Sequence, residues 1–112
     1  MVPAQNRLKG AKEIKLLFEK GRGAFGILCG IKYRKNNLKI SRFAFVVGLK
    51  VSKSAVKRNT AKRRLREAVR KHIKETKPGL DVAIIAKQAI IEAKFDQIEK
   101  DVVGLFKKIG LL

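Results

Sequence analysis

The sequence predicts an α+β fold, in which a small sheet of three to four strands packs with helices. Two observations predict it: apolar residues recur three and four positions apart in some short segments, and they alternate with other residues in others. With 112 residues, 46% of them hydrophobic, the chain is long enough for a single domain over 1–112 with its own buried core. The predicted order is α-β-β-(β)-α-β-α, where the bracketed strand is an additional edge strand.

The first predicted element is a short helix over Ala11–Lys20. Its apolar residues Ile14, Leu17 and Phe18 lie at i, i+3 and i+4, which places them on one face. A glycine follows directly and is typical of a helix end. The segment is therefore interpreted as an amphipathic helix.

Two strands are predicted next, over 25–33 and 43–51. Apolar and aromatic residues occupy every second position of the first segment: Phe25, Ile27, Cys29, Ile31 and Tyr33. The second segment alternates in the same way: Phe43, Phe45, Val47, Leu49 and Val51. The polar run RKNN between them predicts a turn, so the two strands are expected to pair as a hairpin.

The second half of the chain is predicted to contain a helix, a strand and a helix. Ser52 or Ser54 can cap a helix that runs to about Lys77, where a Pro-Gly pair ends it. The segment LDVAIIAK, 80–87, is apolar on both faces and is typical of a strand in the sheet interior. Apolar residues three to four apart predict a last helix over about 89–109.

The predicted helix that follows the serines carries most of the charge. Twelve Lys or Arg and two Glu lie between Lys50 and Lys77, so this quarter of the chain contributes +10 of the net +19. Like charges at i and i+4 destabilise an isolated helix by a few tenths of a kcal/mol, roughly, for each pair. The small apolar residues of this helix cluster on one side, together with its histidine: Ala61, Leu65, Ala68, Val69 and His72.

This basic helix admits three interpretations: a solvated face, a membrane-surface helix, or a surface that binds phosphates. A solvated face normally interleaves Glu with Lys and Arg, and this helix hardly does. A membrane-surface helix needs bulky apolar residues, whereas the apolar side here has no Trp or Phe, so no membrane partner is expected. Phosphate binding is favoured, with Arg making bidentate contacts and Asn59 adding a neutral donor and acceptor.

No catalytic or metal-binding group is predicted from the sequence. Cys29 and His72 each stand alone, and Cys29 lies on an apolar strand face. Glu92, Asp96 and Glu99 share a helical face but lie opposite its apolar stripe, as a solvent side does. The lone cysteine and the absence of an apolar leader-like segment at the start of the sequence favour a reducing, cytoplasmic location.

The segment VGLKVSKSAVKRNTAKRRLREAVR, residues 47–70, resembles the protein subunit of bacterial ribonuclease P. That family carries a similar strand end, followed by a helix with Arg-Asn-Arg, Lys-Arg and Arg. The matching residues are Val47, Gly48, Leu49, Val51, Ser52, Lys53, Arg58, Asn59, Lys62, Arg63 and Arg66. NRLKGAKEIKLLFEKGR, residues 6–22, and GLDVAIIAK extend the resemblance over nearly the whole chain. The sequence departs from the pattern in a shorter loop before Arg58, at Thr60, which replaces the second Arg, and at Ile14, which replaces a common aromatic residue.

The resemblance implies a role in a ribonucleoprotein enzyme. In that family a catalytic RNA, using Mg²⁺ bound mainly by RNA and substrate, removes the 5′ leader of precursor tRNA, and the protein supplies no catalytic residue. The implied RNA-binding residues are Lys53, Lys57, Arg58, Asn59, Lys62, Arg63, Arg66 and Arg70. The implied lining of a leader cleft between the first helix and the sheet is Ile14, Phe18, Phe25 and Tyr33.

The resemblance also implies a fold shared with a ribosomal-protein domain, with a left-handed βαβ crossover, and a protein that is monomeric on its own. Two alternatives remain open at this point. One is a structural RNA-binding protein of ribosomal type with no role in turnover. The other is a helix-turn-helix DNA binder, which is disfavoured because a strand rather than a short helix precedes the basic helix.

Overall fold

A four-stranded sheet with helices on both faces forms the centre of the molecule over residues 2–112, the part of the chain that the computed structural model describes. The helices are α1 (Ala11–Lys20), α2 (Ala55–His72) and α3 (Phe95–Lys108). The strands are β1 (Arg22–Phe25), β2 (Cys29–Lys35), β3 (Arg42–Val46) and β4 (Leu80–Ala86). Short 3-10 helices cover Ala4–Asn6, Ile73–Glu75 and Gln88–Glu92. The predicted α+β class is confirmed, in its four-strand version.

The strands lie in the order β1-β2-β4-β3, so the predicted hairpin between 25–33 and 43–51 is wrong. Strand β4 lies between β2 and β3, antiparallel to the first and parallel to the second. This strand takes the centre because it is apolar on both faces, and Val82, Ala83 and Ile84 are all 0% exposed. The connection from β3 through α2 to β4 is a βαβ unit. The left-handedness of this crossover stays a prediction from the family resemblance.

The strand predicted over 25–33 is broken by a turn, which makes β1 and β2 a hairpin of their own. The Gly26 amide donates to the Cys29 carbonyl at 2.9 Å and closes the turn. The Asp101 carboxylate of α3 accepts hydrogen bonds from the next three amides, those of Ile27, Leu28 and Cys29, at 3.2, 3.0 and 3.1 Å. A carboxylate 72 to 74 positions away therefore decides where the strand ends.

The ends of the second predicted strand and of the basic helix differ from their predicted positions. The strand predicted over 43–51 stops at Val46, and the Val51 amide closes a turn onto the Gly48 carbonyl at 3.0 Å. Helix α2 is capped by Ser54, whose Oγ accepts from the Lys57 amide at 3.3 Å, and it ends at His72, before the 3-10 turn.

The last helix starts six residues later than the predicted position 89. Residues 88–92 form a 3-10 helix, and Ala93 and Lys94 have extended backbones (ψ 146° and 158°) that interrupt the helical path. The Lys94 amide donates to Gln97 Oε1 at 2.9 Å, which fixes the start of α3. The apolar spacing continues across this break, so periodicity alone does not reveal it.

The helices divide between the two faces of the sheet. Helix α1 packs on one face, where Leu8, Leu17, Ala44 and Ala83 form a small buried cluster. Helices α2 and α3 cover the other face and enclose the main core, in which the rings of Phe43 and Phe106 are 5.7 Å apart. One face is thus fully covered, and the other is covered only where α1 lies.

Candidate nucleic-acid interface

Helix α2 rests on the core by a narrow apolar side. Ala61, Leu65, Ala68 and Val69 are at most 2% exposed, which confirms the side predicted to dock. None of these side chains is aromatic, and two of the four are alanine. The opposite side of α2 therefore projects its charged residues away from the core.

The outer side of α2 is a ridge of polar and cationic residues. Asn59, Arg63, Arg66 and Arg70 are all exposed, and Lys53 and Lys57 are exposed near the start of the helix. Lys62 is half-buried beside this ridge. Within residues 2–112, Lys62, Arg63 and Arg66 form no ion pair with a carboxylate. These three cations are therefore not neutralised by the protein itself.

Two other arginines of α2 hydrogen-bond to the backbone. Arg58 Nη1 donates to the Ser52 carbonyl at 2.8 Å, and this bond ties the loop before the helix to its first turn. Arg64 Nη1 donates to the Ala93 carbonyl at 3.1 Å and holds the segment that leads into α3. Each guanidinium group has further N–H donors, so it can hold the backbone and bind an anion at the same time.

Arg70 is paired with Glu67 on the same face of α2. Arg70 Nε donates to Glu67 Oε2 at 2.9 Å, and Nη2 donates to the other carboxylate oxygen. The hydrogen bond from Arg70 lowers the pKa of Glu67, and the hydrogen bond to Glu67 raises the pKa of Arg70. Both groups stay charged at neutral pH, and the pair adds no net charge to the ridge.

Thr60 lies on the flank of α2 that faces the 3-10 helix Gln88–Glu92. Its Oγ1 donates to the Val56 carbonyl at 3.0 Å, and it lines a shallow groove with Lys57 and Arg64. Two cations are thus the neighbours of the position where the family pattern has a second arginine. Of the two, Arg64 also holds the Ala93 carbonyl.

A groove of about 320 Å³ joins the basic helix to the α1 side of the sheet. Lys62 and Arg66 line it from α2, and Ile14 lines it from α1. Its floor is the edge strand β3, at Ala44 and Phe45. The remaining lining residues come from β3 and the N-terminal segment: Val2, Arg7, Leu8, Lys9 and Phe43. Cationic side chains and an apolar floor therefore meet in one place.

Beyond α1, the same sheet face is open. Cross-strand partners share a face, and the register aligns Phe25, Gly30, Ile85 and Val46 in one row across the four strands. Phe25 is 71% exposed, whereas Ile85 and Val46 are half-buried. On α1, Phe18 has 37% of its surface exposed. The open face is largely apolar, which suits the flat surfaces of bases.

Tyr33, predicted to line the cleft, lies on the other face of the sheet. It is aligned with Arg22, Val82 and Phe43 and packs against the main core. The prediction assumed one strand over 25–33, in which Phe25 and Tyr33 share a face. The turn at 26–28 aligns Phe25 with Gly30 instead, so the two aromatic residues point to opposite faces.

Lys32 occupies the cleft-side position that the sequence interpretation gave to Tyr33. It is aligned with Gly23 and Ala83 and is half-buried, one row from Phe25. Gly26 was the signal in the sequence that could have identified Lys32. A hairpin turn at this glycine would have shifted the alternation of inward and outward side chains after it by one residue. That signal was outweighed by the uninterrupted period-two pattern from 25 to 33.

Helix α1 is joined to the sheet by one ion pair, which belongs to a larger cluster. Arg42 of β3 donates two hydrogen bonds to Asp81 of β4, and its Nη1 lies 3.2 Å from Glu13 Oε2 of α1. The hydrogen bond to Asp81 is the main reason why the pKa of Arg42 is raised, so Arg42 stays charged. Asn36 Nδ2 also donates to Asp81 Oδ1, at 2.9 Å. The cluster fixes one end of the cleft.

The lone histidine and cysteine both have structural partners. His72 Nε2 is 2.9 Å from Glu99 Oε2, which joins α2 to α3. Cys29 is 0% exposed, which confirms it as a core residue. Its thiol donates to Asp101 Oδ2 at 3.4 Å, and burial, followed by the charge of Asp101, raises its pKa. Glu92 and Asp96 are exposed, as predicted, whereas Glu99 is half-buried in its contact with His72.

Metal-binding clusters and membrane-spanning helices are both absent from residues 2–112. No group of three or more His, Cys, Asp and Glu side chains is arranged to hold a metal ion. No helix in that range combines the length and apolar character needed to cross a membrane.

Comparison with protein-family models matches residues 2–110 to the family described as Ribonuclease P. The chain belongs to the ribonuclease P protein family. The match takes in α1, the whole sheet and α2, so both surfaces described above lie inside the family region. The resemblance seen in the sequence is thereby confirmed.

Relatives in the ribonuclease P family match the chain along nearly its full length. The ribonuclease P protein component of Syntrophomonas wolfei is 34% identical over 99% of this chain and 92% of its own. That of Fusobacterium nucleatum is 37% identical over 96% of this chain and 99% of its own. A solved structure of a Staphylococcus aureus RNase P protein mutant with defective mRNA degradation activity has a TM-score of 0.88. It is 23% identical and covers 96% of this chain and 91% of that one, which supports the fold.

Proposed function

We propose that the chain is the protein subunit of a ribonuclease P ribonucleoprotein, which assists a catalytic RNA in removing the 5′ leader of precursor tRNA. The observation that carries the proposal is the groove in which Lys62 and Arg66 of α2 face Ile14 of α1. This groove connects a cationic helix to an open apolar sheet face. One protein of this size can then contact a folded RNA and a single-stranded segment at the same time.

The contribution of α2 is electrostatic. Lys53, Lys57, Arg58, Asn59, Lys62, Arg63 and Arg66 are the proposed contacts to phosphates of the catalytic RNA, with Arg70 available once Glu67 is displaced. Neutralising phosphates releases counterions, so this binding weakens steeply as salt rises. The net charge of +19 has the sign and size that such a partner requires.

The contribution of the sheet face is to hold the leader. Ile14, Phe18 and Phe25 are the proposed contacts to the leader bases, and Lys32, which lies on the open face, is the proposed cation for the leader backbone. Base–aromatic stacking contributes about 1–3 kcal/mol per base and tolerates any sequence. A subunit that serves many different precursors needs this tolerance.

Chemistry is assigned to the RNA. The side chains of residues 2–112 do not fit a protein-held metal, because no suitable cluster of ligands is present among them. The proposed Mg²⁺ is therefore bound mainly by the RNA and the substrate, and no step is routed through this chain. Its own residues bind and orient: α2 holds the catalyst, and the cleft holds the leader beside it.

Reconstitution with the cognate RNA across a magnesium titration tests the proposal. The expected result is that the protein raises cleavage of precursor tRNA sharply at low Mg²⁺, and that Lys62→Ala with Arg66→Ala reduces the gain. Lys107→Ala, an exposed lysine on α3, is the matched control.

Two outcomes would contradict the proposal. Cleavage of precursor tRNA by the nuclease-cleared protein without RNA would place the catalyst in this chain. Tight RNA binding with no change in cleavage at any Mg²⁺ concentration would favour the alternative, a structural RNA-binding protein of ribosomal type.

A further inference from the structure

A second cationic groove, of about 470 Å³, lies at the β1–β2 edge of the sheet, opposite the edge formed by β3. Strand β1 begins at Arg22, which pairs with Tyr33, so Arg34 and Lys35 of β2 extend past its start. The space beside these two residues is the Tyr33 groove. Its apolar lining is the Tyr33 ring, Leu80 of β4 and Ile109, which follows α3.

Gly21 brings the end of α1 against the backbone of Tyr33. A Cβ added to this glycine would lie 2.5 Å from the Leu17 carbonyl oxygen and 3.1 Å from the Tyr33 carbonyl oxygen, so a larger residue does not fit without a shift of the backbone. The residues on either side of the glycine are Lys20, the last of α1, and Arg22, the first of β1. Both line the groove, and the close approach of the chain therefore fixes two cations there.

Four cations line the Tyr33 groove without a carboxylate partner. Lys20, Arg22, Arg34 and Lys35 are all exposed. None of the four forms an ion pair within residues 2–112. Like charges that are gathered in one place repel one another, and a bound anion removes that cost.

The carboxylate aligned with this groove is already engaged. Asp81 of β4 pairs with Arg34 in the register of the sheet. Arg42 donates two hydrogen bonds to Asp81, and Asn36 donates a third. Asp81 is thus held by its other neighbours and leaves Arg34 without an ion pair.

The donors of the Tyr33 groove suit a phosphate group. Among residues 2–112 the Tyr33 hydroxyl has no hydrogen-bond partner, so it is able to donate to a bound anion. The guanidinium groups of Arg22 and Arg34 can each make two-point contacts to phosphate. A phosphate oxygen accepts more than one hydrogen bond, so these groups can share one anion.

We propose that the Tyr33 groove is a second contact to the catalytic RNA, in which Arg34 and the Tyr33 hydroxyl bind a phosphate of the RNA backbone. Tyr33 faces the side of the sheet that α2 and α3 cover, whereas the proposed leader contacts lie on the other side. The groove thus lies on the same side of the sheet as the helix that holds the RNA. The protein is 36 Å long, so one folded RNA larger than the protein reaches both surfaces. This contact rests on the proposed function, because it extends the interface with the same RNA.

A solvated cluster of cations makes a different prediction. Such a cluster adds to RNA affinity only through long-range attraction, which any other exposed cation of the protein supplies as well. Lys100, an exposed lysine of α3, is the matched control for that effect. Tyr33→Phe removes a hydroxyl and no charge, so it reports on a direct contact alone.

Binding titrations with the catalytic RNA, without precursor tRNA and at several salt concentrations, test the contact. Arg34→Gln should lower the slope of log affinity against log salt by about 0.9, and Arg34→Lys should keep the slope. Lys100→Gln should leave it unchanged. Tyr33→Phe should weaken binding about fivefold at every salt concentration. If Arg34→Gln and Lys100→Gln behave alike, the second contact is overturned.

A cleavage reagent tethered to the protein identifies which RNA lies at the groove. Iron–EDTA attached through Lys35→Cys should cut the catalytic RNA of the holoenzyme at nucleotides different from those cut through Arg66→Cys. The buried Cys29 makes the wild type treated with the same reagent the background control.

The outcomes of the tethered cleavage separate this contact from the proposed function. Cuts through Lys35→Cys in precursor tRNA alone, or none there while Arg66→Cys gives them, would overturn the second contact and leave the proposed function standing. Cuts at the same nucleotides from both positions would also overturn it. If neither position gives cuts, the proposed function fails as well.

Discussion

Arg42 and Asp81 form a two-point ion pair across the parallel strands β3 and β4, with Nε to Oδ1 at 2.8 Å and Nη2 to Oδ2 at 2.7 Å. Their side chains are 23% and 16% exposed, so water competes only partly for these bonds. The third arm of the guanidinium reaches Glu13 and thereby connects α1 to the sheet. This pair therefore anchors α1 on the open side of the sheet.

Asp81→Asn should lower the free energy of unfolding by about 1.5–3 kcal/mol, because Arg42 keeps its charge and loses a partner that is mostly buried. Urea unfolding at neutral pH measures the loss. Glu13→Gln is the matched control, and it should cost less than about 1 kcal/mol because Glu13 is half exposed. Equal decreases in the free energy of unfolding of the two variants would show that the Asp81 bonds contribute no more to stability than the Glu13 ion pair.

Arg66→Ala should weaken binding to the cognate RNA and lower the slope of log affinity against log salt by about 0.9, the value expected for one lost phosphate contact. The exposed Arg66 has no ion pair within residues 2–112 and lines the groove beside Ile14. Binding titrations at several salt concentrations provide the slope. An unchanged slope would mean that this side of α2 faces away from the RNA.

Glu67→Gln should strengthen RNA binding and make the salt slope steeper by about 0.9. The substitution releases Arg70 from its intrahelical partner and removes a negative charge from the ridge. The same titrations test it, and Glu75→Gln, outside the ridge near the end of α2, should change the slope less. Weaker binding in Glu67→Gln would imply that the Glu67–Arg70 pair itself is recognised.

Cys29 should make stability fall at alkaline pH. Because the pKa of its thiol is raised in the folded state, its contribution is fully present below pH 9, the ordinary thiol value, and is lost as pH rises above it. Above that value only the unfolded chain gives up the proton. Relative to Cys29→Ala, wild type should lose about 1.3 kcal/mol between pH 8 and pH 10 in urea unfolding under reducing conditions. A parallel pH dependence in the two proteins would show that the thiol ionises in the folded state.

Sequence patterning predicted the parts of the molecule that depend on local spacing. The docking side of α2, the buried β4 and the amphipathic α1 follow from apolar periodicity, because each segment must bury one face whatever its neighbours are. The charge of α2 and the VGLKVS…KRN motif were sufficient to predict the family. Boundaries were less accurate, since the end of a strand or helix depends on groups far along the chain.

What the sequence by itself determined is the class of fold, the family and the helix that carries the charge, because each is encoded in residues close together. Tertiary structure alone decided which side chains share the cleft. Asp101 accepts hydrogen bonds from the amides of residues 27–29 and holds them in a turn. Compared with an uninterrupted strand, this turn shifts the alternation of side chains after it by one residue. Tyr33 therefore faces the main core, and Lys32 faces the open side of the sheet. Period-two alternation cannot reveal such a shift, because a one-residue change of register exchanges the two faces completely.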